Sequence, residues 1–197
     1  MNPENPQGRL INRVVEALKD GAIIAYPTDT FYGIGCDIMN KKAISKVYRI
    51  KRRSKKKPFS FICADLKNIS QYAKVSNYAY KTMKRLLPGP YTFVLEGSKL
   101  VPKIVLTEQK TAGIRVPNHP ICLALVRQLG RPIISTSASV SDSETLSASE
   151  IFETLGAQID IVIDGGPVQG RPSSVVSLIG DVPEVIRKGL GDVSIFA

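Results

Sequence analysis

The residues able to do chemistry sit in short segments beside apolar runs. Thr28, Thr30 and Tyr32 follow the apolar run 22–26, Arg115 lies in the run 112–116, and Ser135 and Ser137 follow Ile133-Ile134. Gly165-Gly166-Pro167, Ser173-Ser174 and Arg187 come later in the chain. Hydroxyls, glycines and fixed cations suit the holding of a polyanion with an amino or carboxylate group beside it. Reaction in such a site is promoted by positioning and charge stabilisation rather than by a protein nucleophile. Phosphoryl or nucleotidyl transfer fits that description. The densest member of the set is Arg49-Ile50-Lys51-Arg52-Arg53-Ser54-Lys55-Lys56-Lys57, cations with no compensating acid, placed before Pro58 and the apolar stretch 59–63. A helix end accommodates two or three such charges through its macrodipole, and the remainder point to an anionic partner. Each group also has a purely structural use: an ion pair for Arg115, core packing for Tyr32, a turn for Gly165-Gly166, a polar loop for the serines 135–143.

Other chemistries find less support. No G-x-x-x-x-G-K-[ST] motif occurs, and Gly33-Ile34-Gly35 lacks the third glycine of a dinucleotide fingerprint. His119, in Pro117-Asn118-His119-Pro120, is the only histidine, so triad catalysis and a zinc site would both depend on it, and its place at a helix entrance suits a structural role. Asp29, Asp37, Asp142 and Asp164 show no spacing that pairs them for acid–base work. The widely separated Cys36, Cys63 and Cys122 each have apolar neighbours, as expected of buried, reduced thiols in a cytoplasmic protein. No apolar run is long enough to span a bilayer and the polar N-terminus has no leader-like run, so a soluble, uncleaved chain is expected. A net charge of +10 suits phosphate, nucleic acid or another acidic partner.

The elements that must position these residues alternate along the chain. Leu10, Ile11, Val14, Val15 and Leu18 have helical spacing, with Gly21 as a stop before a buried strand over 22–26. Asn40 can cap a helix with Ala43, Ile44, Val47 and Ile50 inward and Lys51 and Arg53 in its last turn, followed by a strand over 59–63. A helix opening at Asn77 breaks at Pro88-Gly89-Pro90 before a strand over 91–95. Then come a strand over 112–116, a helix over 120–129 stopped by Gly130, and a strand over 132–136. Ser147 and Glu150 have capping-box spacing, and strands over 159–164, 174–178 and 184–187 finish the chain. This interleaving predicts one α/β domain over 1–197 with a parallel or mixed sheet.

The ordered blocks Tyr26-Pro27-Thr28-Asp29-Thr30-Phe31-Tyr32-Gly33-Ile34-Gly35, Lys51-Arg52-Arg53 running into Lys57-Pro58-Phe59, and Leu87-Pro88-Gly89-Pro90-Tyr91-Thr92-Phe93 resemble the YrdC-type family. So do the blocks from Thr111 to Pro120, Asp164-Gly165-Gly166-Pro167, Ser173-Ser174-Val175-Val176 and Arg187-Lys188-Gly189. Within that family the sequence is most similar to the YciO-like branch. The resemblance implies a large twisted mixed parallel and antiparallel sheet, flanked by helices and presenting a basic concave surface. It implies an L-threonylcarbamoyladenylate synthase, which joins L-threonine, bicarbonate or CO2 and ATP, with Mg2+, into threonylcarbamoyl-AMP and pyrophosphate for modification of adenosine 37 in tRNA. By motif position, Lys51 and Arg53 would serve catalysis, and Arg53, Lys57, Thr111, Ser137 and Arg187 would bind ATP. Thr30, Arg115, Ser135 and Ser173 would bind threonine, with Arg115 as a two-pronged carboxylate clamp. No residue is implied as a metal ligand, and proteins of the same modification pathway are implied partners.

Three positions depart from the family pattern. Ser139 stands where an asparagine is usual, Ile62 replaces a histidine, and Asp142 replaces a glycine. Two other readings therefore stay open. One is double-stranded or structured RNA binding without synthesis, through phosphates rather than base stacking, since the run 49–57 holds no aromatic residue. The other is a regulatory binder that kept a nucleotide site without turnover.

Overall fold

The computed structural model describes residues 1–52, 59–139, 147–180 and 182–196. Among the described residues nine strands form one mixed sheet: β1 (Ile24–Tyr26), β2 (Gly33–Asp37), β3 (Ser60–Ile62), β4 (Tyr91–Glu96), β5 (Thr111–Arg115), β6 (Ile133–Ser137), β7 (Ile161–Val162), β8 (Ser174–Ser177) and β9 (Glu184–Arg187), in the order β7-β1-β2-β6-β3-β5-β4-β8-β9. The pairs β1–β7, β3–β5 and β4–β8 are parallel; β1–β2, β2–β6, β3–β6, β4–β5 and β8–β9 are antiparallel.

The described residues include six α-helices that flank the sheet: α1 (Gly8–Lys19), α2 (Lys41–Ile50), α3 (Leu66–Tyr72), α4 (Asn77–Leu86), α5 (Pro120–Leu129) and α6 (Ala148–Leu155). Their ends follow local chemistry. The Asn40 side chain accepts from the Ala43 amide, Ser147 and Glu150 form a reciprocal capping box, and Gly130 takes the left-handed conformation that stops α5. Two elements were not expected. The short α3 is capped by Asp65 and buries only Ile69 and Tyr72, too little for a visible helical period. The strand β2 carries Gly33 and Gly35 in a stretch where no strand was expected. Asn77 opens α4 as expected, with Ser76 as its cap, whereas Lys51 lies one residue beyond α2 rather than in its last turn. Arg52 follows in a left-handed conformation, φ 45°.

The strands bury both faces, unequally. Ile34, Phe61, Phe93, Ile114, Ile134 and Val176 alternate onto one face, where α2, α3, α4 and α6 cover them. The opposite face carries Ile24, Tyr26, Ile62 and Ile133, which pack beneath α1 and α5 through Val15, Leu18, Ile121 and Leu125. These two helices cover only part of that face, and the remainder is where the predicted site residues converge. All three cysteines are buried free thiols, and burial pushes the Cys36 thiol up to about 12. Among the described residues no helix is long and apolar enough to cross a membrane.

Candidate functional site

Where the cover of α1 and α5 ends, the residue types on the sheet face change. Along β6, Ile133 lies under the helices, while Ser135 and Ser137, two and four residues on, line an open cleft. Along β3 the same change runs from Ile62 to Ser60. The cleft has a volume of about 380 Å³, and Gly33, Gly113, Thr92, Val94 and Val175 add to its floor. Thr28, Thr30, Arg115, Ser173 and Arg187 line its walls. Strand alternation thus puts small or hydroxyl-bearing side chains into the cleft and large apolar ones into the core behind it.

Three hydrogen-bonded clusters hold these groups. In the first, Arg115 Nη2 donates to Asp29 Oδ1 at 2.7 Å and to Thr30 Oγ1 at 2.9 Å. The Thr28 and Thr30 hydroxyls are 3.0 Å apart, and Asp29 Oδ2 accepts from the Asn118 amide at 3.0 Å. The Arg115 and Asp29 side chains are only 11% and 10% exposed. In the second, the Thr92 and Ser173 hydroxyls pair at 2.7 Å, and Arg187 Nη2 donates to the Ser173 carbonyl at 2.8 Å. In the third, Lys51 Nζ donates to the Ser139 carbonyl at 2.6 Å while the Ser139 and Ser137 hydroxyls are 3.1 Å apart. This links the end of α2 to the cleft edge of β6. Tyr32 secures the neighbouring glycine loop, its hydroxyl donating to the Gly166 carbonyl at 2.8 Å and accepting from the Gly165 amide at 3.2 Å. Burial raises its pKa, which keeps it a donor at neutral pH.

Of the residues singled out in sequence, Thr30, Arg115, Ser135, Ser137, Ser173 and Arg187 line one cleft. Thr111 lies on the same strand face two residues beyond Gly113, outside the lining, with its hydroxyl 2.7 Å from that of Thr107. Lys51 reaches the edge through Ser139, and Arg53 and Lys57 lie outside the described residues. Ile62, where the family pattern has a histidine, is fully buried beneath α1 and α5 and shares a register position with Arg115. Asp37, 2% exposed, is structural: both its oxygens accept from Arg131 Nε at 2.8 Å. His119 is the N-cap residue of α5, and burial lowers its pKa against the opposing pull of Asp29, so it is neutral at pH 7.

Sequence reasoning missed Ser60, Thr92 and Gly113. Their signal is the polar or small residue at every second strand position, which acquires meaning only when the register sets three strands side by side. A Cβ on Gly113 would stand 2.7 Å from Ser60 Oγ and 2.9 Å from Thr92 Cγ2, so the missing side chain keeps the floor open. Gly113→Ala is expected to weaken ligand binding in the cleft about tenfold while lowering stability by about 1 kcal/mol, checked by calorimetric titration beside thermal melting.

The donor set favours anions. Among the described residues no carboxylate lines the cleft, no cluster of three or more acidic, histidine or cysteine side chains forms, and Asp29 is committed to Arg115 and Asn118. The cleft residues therefore do not fit a resident Mg2+, which ordinarily takes one or two protein carboxylates. Magnesium would be brought as part of a metal–nucleotide substrate, on its phosphates.

Comparison with known proteins finds relatives that match most or all of this chain. Residues 16–189 match the family model Sua5_yciO_yrdC, described as "Telomere recombination". YciO of Escherichia coli K12 is 43% identical over 199 residues, covering 100% of this chain and 97% of the relative. The crystal structure of E. coli YciO superposes with a TM-score of 0.95 at 42% identity, over 100% of this chain and 97% of that one. A threonylcarbamoyl-AMP synthase of Vibrio vulnificus is 33% identical over 84% of this chain and 91% of the relative. P. abyssi Sua5, crystallised in complex with L-threonine, matches with a TM-score of 0.88 at 30% identity, over 94% of this chain and 55% of that longer one.

Proposed function

Because the chain belongs to the Sua5/YciO/YrdC family, we propose that its cleft joins an amino-acid carbamate to a nucleotide, as an L-threonylcarbamoyladenylate synthase acting ahead of tRNA modification. The observation that carries this reading is the convergence of Thr30, Arg115, Ser135, Ser137, Ser173 and Arg187 in one cleft. A relative crystallised with L-threonine supports the choice of amino acid.

In the proposed reaction the threonine amine captures CO2 as a carbamate, and a carbamate oxygen attacks the α-phosphorus of ATP. The bond from that phosphorus to the bridging oxygen breaks, and pyrophosphate leaves. The walls near Arg115 hold threonine: the guanidinium faces its carboxylate, while the Thr30, Ser135 and Ser173 hydroxyls meet its polar atoms. Ser137 and Arg187 hold the nucleotide, with Arg53 and Lys57 meeting the phosphates. Lys51 adds positive potential at the same edge through its link to Ser139. The protein supplies position and charge; the substrates supply the nucleophile and the leaving group.

The test is pyrophosphate release by the purified protein. Release that requires threonine and bicarbonate together, and is slower with serine, is the expected outcome. Protein that binds ATP yet releases no pyrophosphate with all three substrates overturns the reading.

A further inference from the structure

Arg115 has fewer hydrogens to offer than a carboxylate clamp needs. A guanidinium grips a carboxylate with two prongs along either of two edges, Nε with Nη2 or Nη1 with Nη2, so both edges require an Nη2 hydrogen. Here the two Nη2 hydrogens are spent, one on Asp29 Oδ1 at 2.7 Å and one on Thr30 Oγ1 at 2.9 Å. The Nε atom is buried without a hydrogen-bond partner, because Asp29 turns its second oxygen to the Asn118 amide at 3.0 Å instead of completing the side-on pair. Asp29 thus divides its carboxylate between the guanidinium and the backbone leading into α5.

From this geometry we infer that Asp29 is a positioning residue that sets carboxylate affinity in the cleft: it takes one Nη2 hydrogen while Thr30 takes the other, so that both forks of Arg115 are closed and Nη1 alone receives an incoming carboxylate. The inference rests on the amino-acid reading of the cleft and deepens it. Asp29 is itself a carboxylate on the same cation, in surroundings where both side chains are nearly excluded from water. It competes with the ligand for Arg115, and it also cancels most of the positive field that would hold any small carboxylate. The amino acid is therefore held by one charged contact and several hydroxyls. Selection rests on its hydroxyl and amine, which a full fork would override.

The experiment is titration calorimetry with threonine, with threoninol, which lacks the carboxylate, and with butyrate, which lacks the amine and hydroxyl. Asp29→Ala is expected to bind threonine about tenfold tighter, to acquire measurable affinity for butyrate, and to leave threoninol unchanged. Turnover should fall along with KM, a split that general loosening of the site does not give. In an Arg115→Gln background the Asp29 substitution should have no effect on threonine. Weaker threonine binding in Asp29→Ala, or equal changes for threonine and threoninol, overturns the inference.

If Asp29→Ala does not fold, the arginine proton resonances of the wild-type protein decide the question. Added threonine must move the Nη1 signals of Arg115 and leave those of Nη2, and transfer of Nη2 to the ligand overturns it. Carboxylate-selective threonine binding without pyrophosphate release overturns the synthase reading alone. Absence of threonine binding by the wild type overturns both.

Discussion

Arg115→Ala is expected to reduce threonine-dependent pyrophosphate release by about 100-fold or more and to lower folding stability by about 3 kcal/mol. The two losses share an origin. On the proposed reading the guanidinium is the fixed cation at the amino-acid end of the cleft, and it also neutralises Asp29, which is 10% exposed and whose other hydrogen bond is to the Asn118 amide. Removing the arginine leaves a buried carboxylate held by a single backbone amide, which is costly in a poorly solvated place. The effects can be separated. The double variant Asp29→Ala/Arg115→Ala removes the orphaned charge and should recover most of the stability without recovering turnover. Arg115→Lys keeps the charge but cannot reach Asp29 and Thr30 from one atom in the same plane, and should fall between wild type and alanine. Thermal melting beside steady-state assays checks all three. Full turnover in a folded Arg115→Ala protein would remove this residue from the threonine site.

Gly35→Ala is the substitution expected to cost the most stability without touching the cleft lining, about 3 kcal/mol, or roughly 6–12 °C in melting temperature for a chain of this length. An added Cβ would lie 2.1 Å from the Ile134 carbonyl oxygen and 2.8 Å from Ile133 Cγ2, in the middle of the β2–β6 ladder. Tyr26 presses on the same spot, its Cε1 3.1 Å away, so neither backbone nor ring can give without opening the sheet. Gly130→Ala is the contrast. No atom lies within 4 Å of its added Cβ, and only the left-handed φ of 74° opposes it, a cost of about 1 kcal/mol. A melting difference between the two variants of less than 2 °C would mean that the sheet relaxes around position 35 far more easily than its contacts suggest.

Gly35 also marks where sequence reading ran out. No strand was expected at this glycine pair, because nothing local distinguishes a glycine chosen for a turn from one chosen to admit a neighbouring ring. The Tyr26 ring, paired across β1 and β2 with Gly33, supplies the reason, and it is a tertiary one. Elements with local punctuation were legible: α2 from Asn40, α5 from Pro120 and Gly130, α6 from Ser147 and Glu150. The alternation of helices and strands pointed to a parallel or mixed sheet and the resemblance to a mixed one, but the strand order was legible in neither. For the site, the hydroxyls and arginines beside the apolar runs were recognisable as a set, and six of them do line one cleft. What could not be read was which groups are already engaged. Arg115 was open to use as a carboxylate clamp or as a structural ion pair, but its partner Asp29 was not foreseen, nor was the turn of Lys51 to Ser139. Such pairings join positions 86 and 88 residues apart, and no spacing rule anticipates them.

The partial cover of the sheet has a consequence for redesign. A cleft floored by strands rather than loops has its ligand-facing positions at every second residue, and their neighbours anchor the core on the far side. Ser60, Gly113, Thr92 and Ser135 can therefore be varied as a group while Phe61, Ile114, Phe93 and Ile134 stay fixed, so a small combinatorial library at those four positions could change what the cleft accepts while sparing the core that keeps the molecule folded.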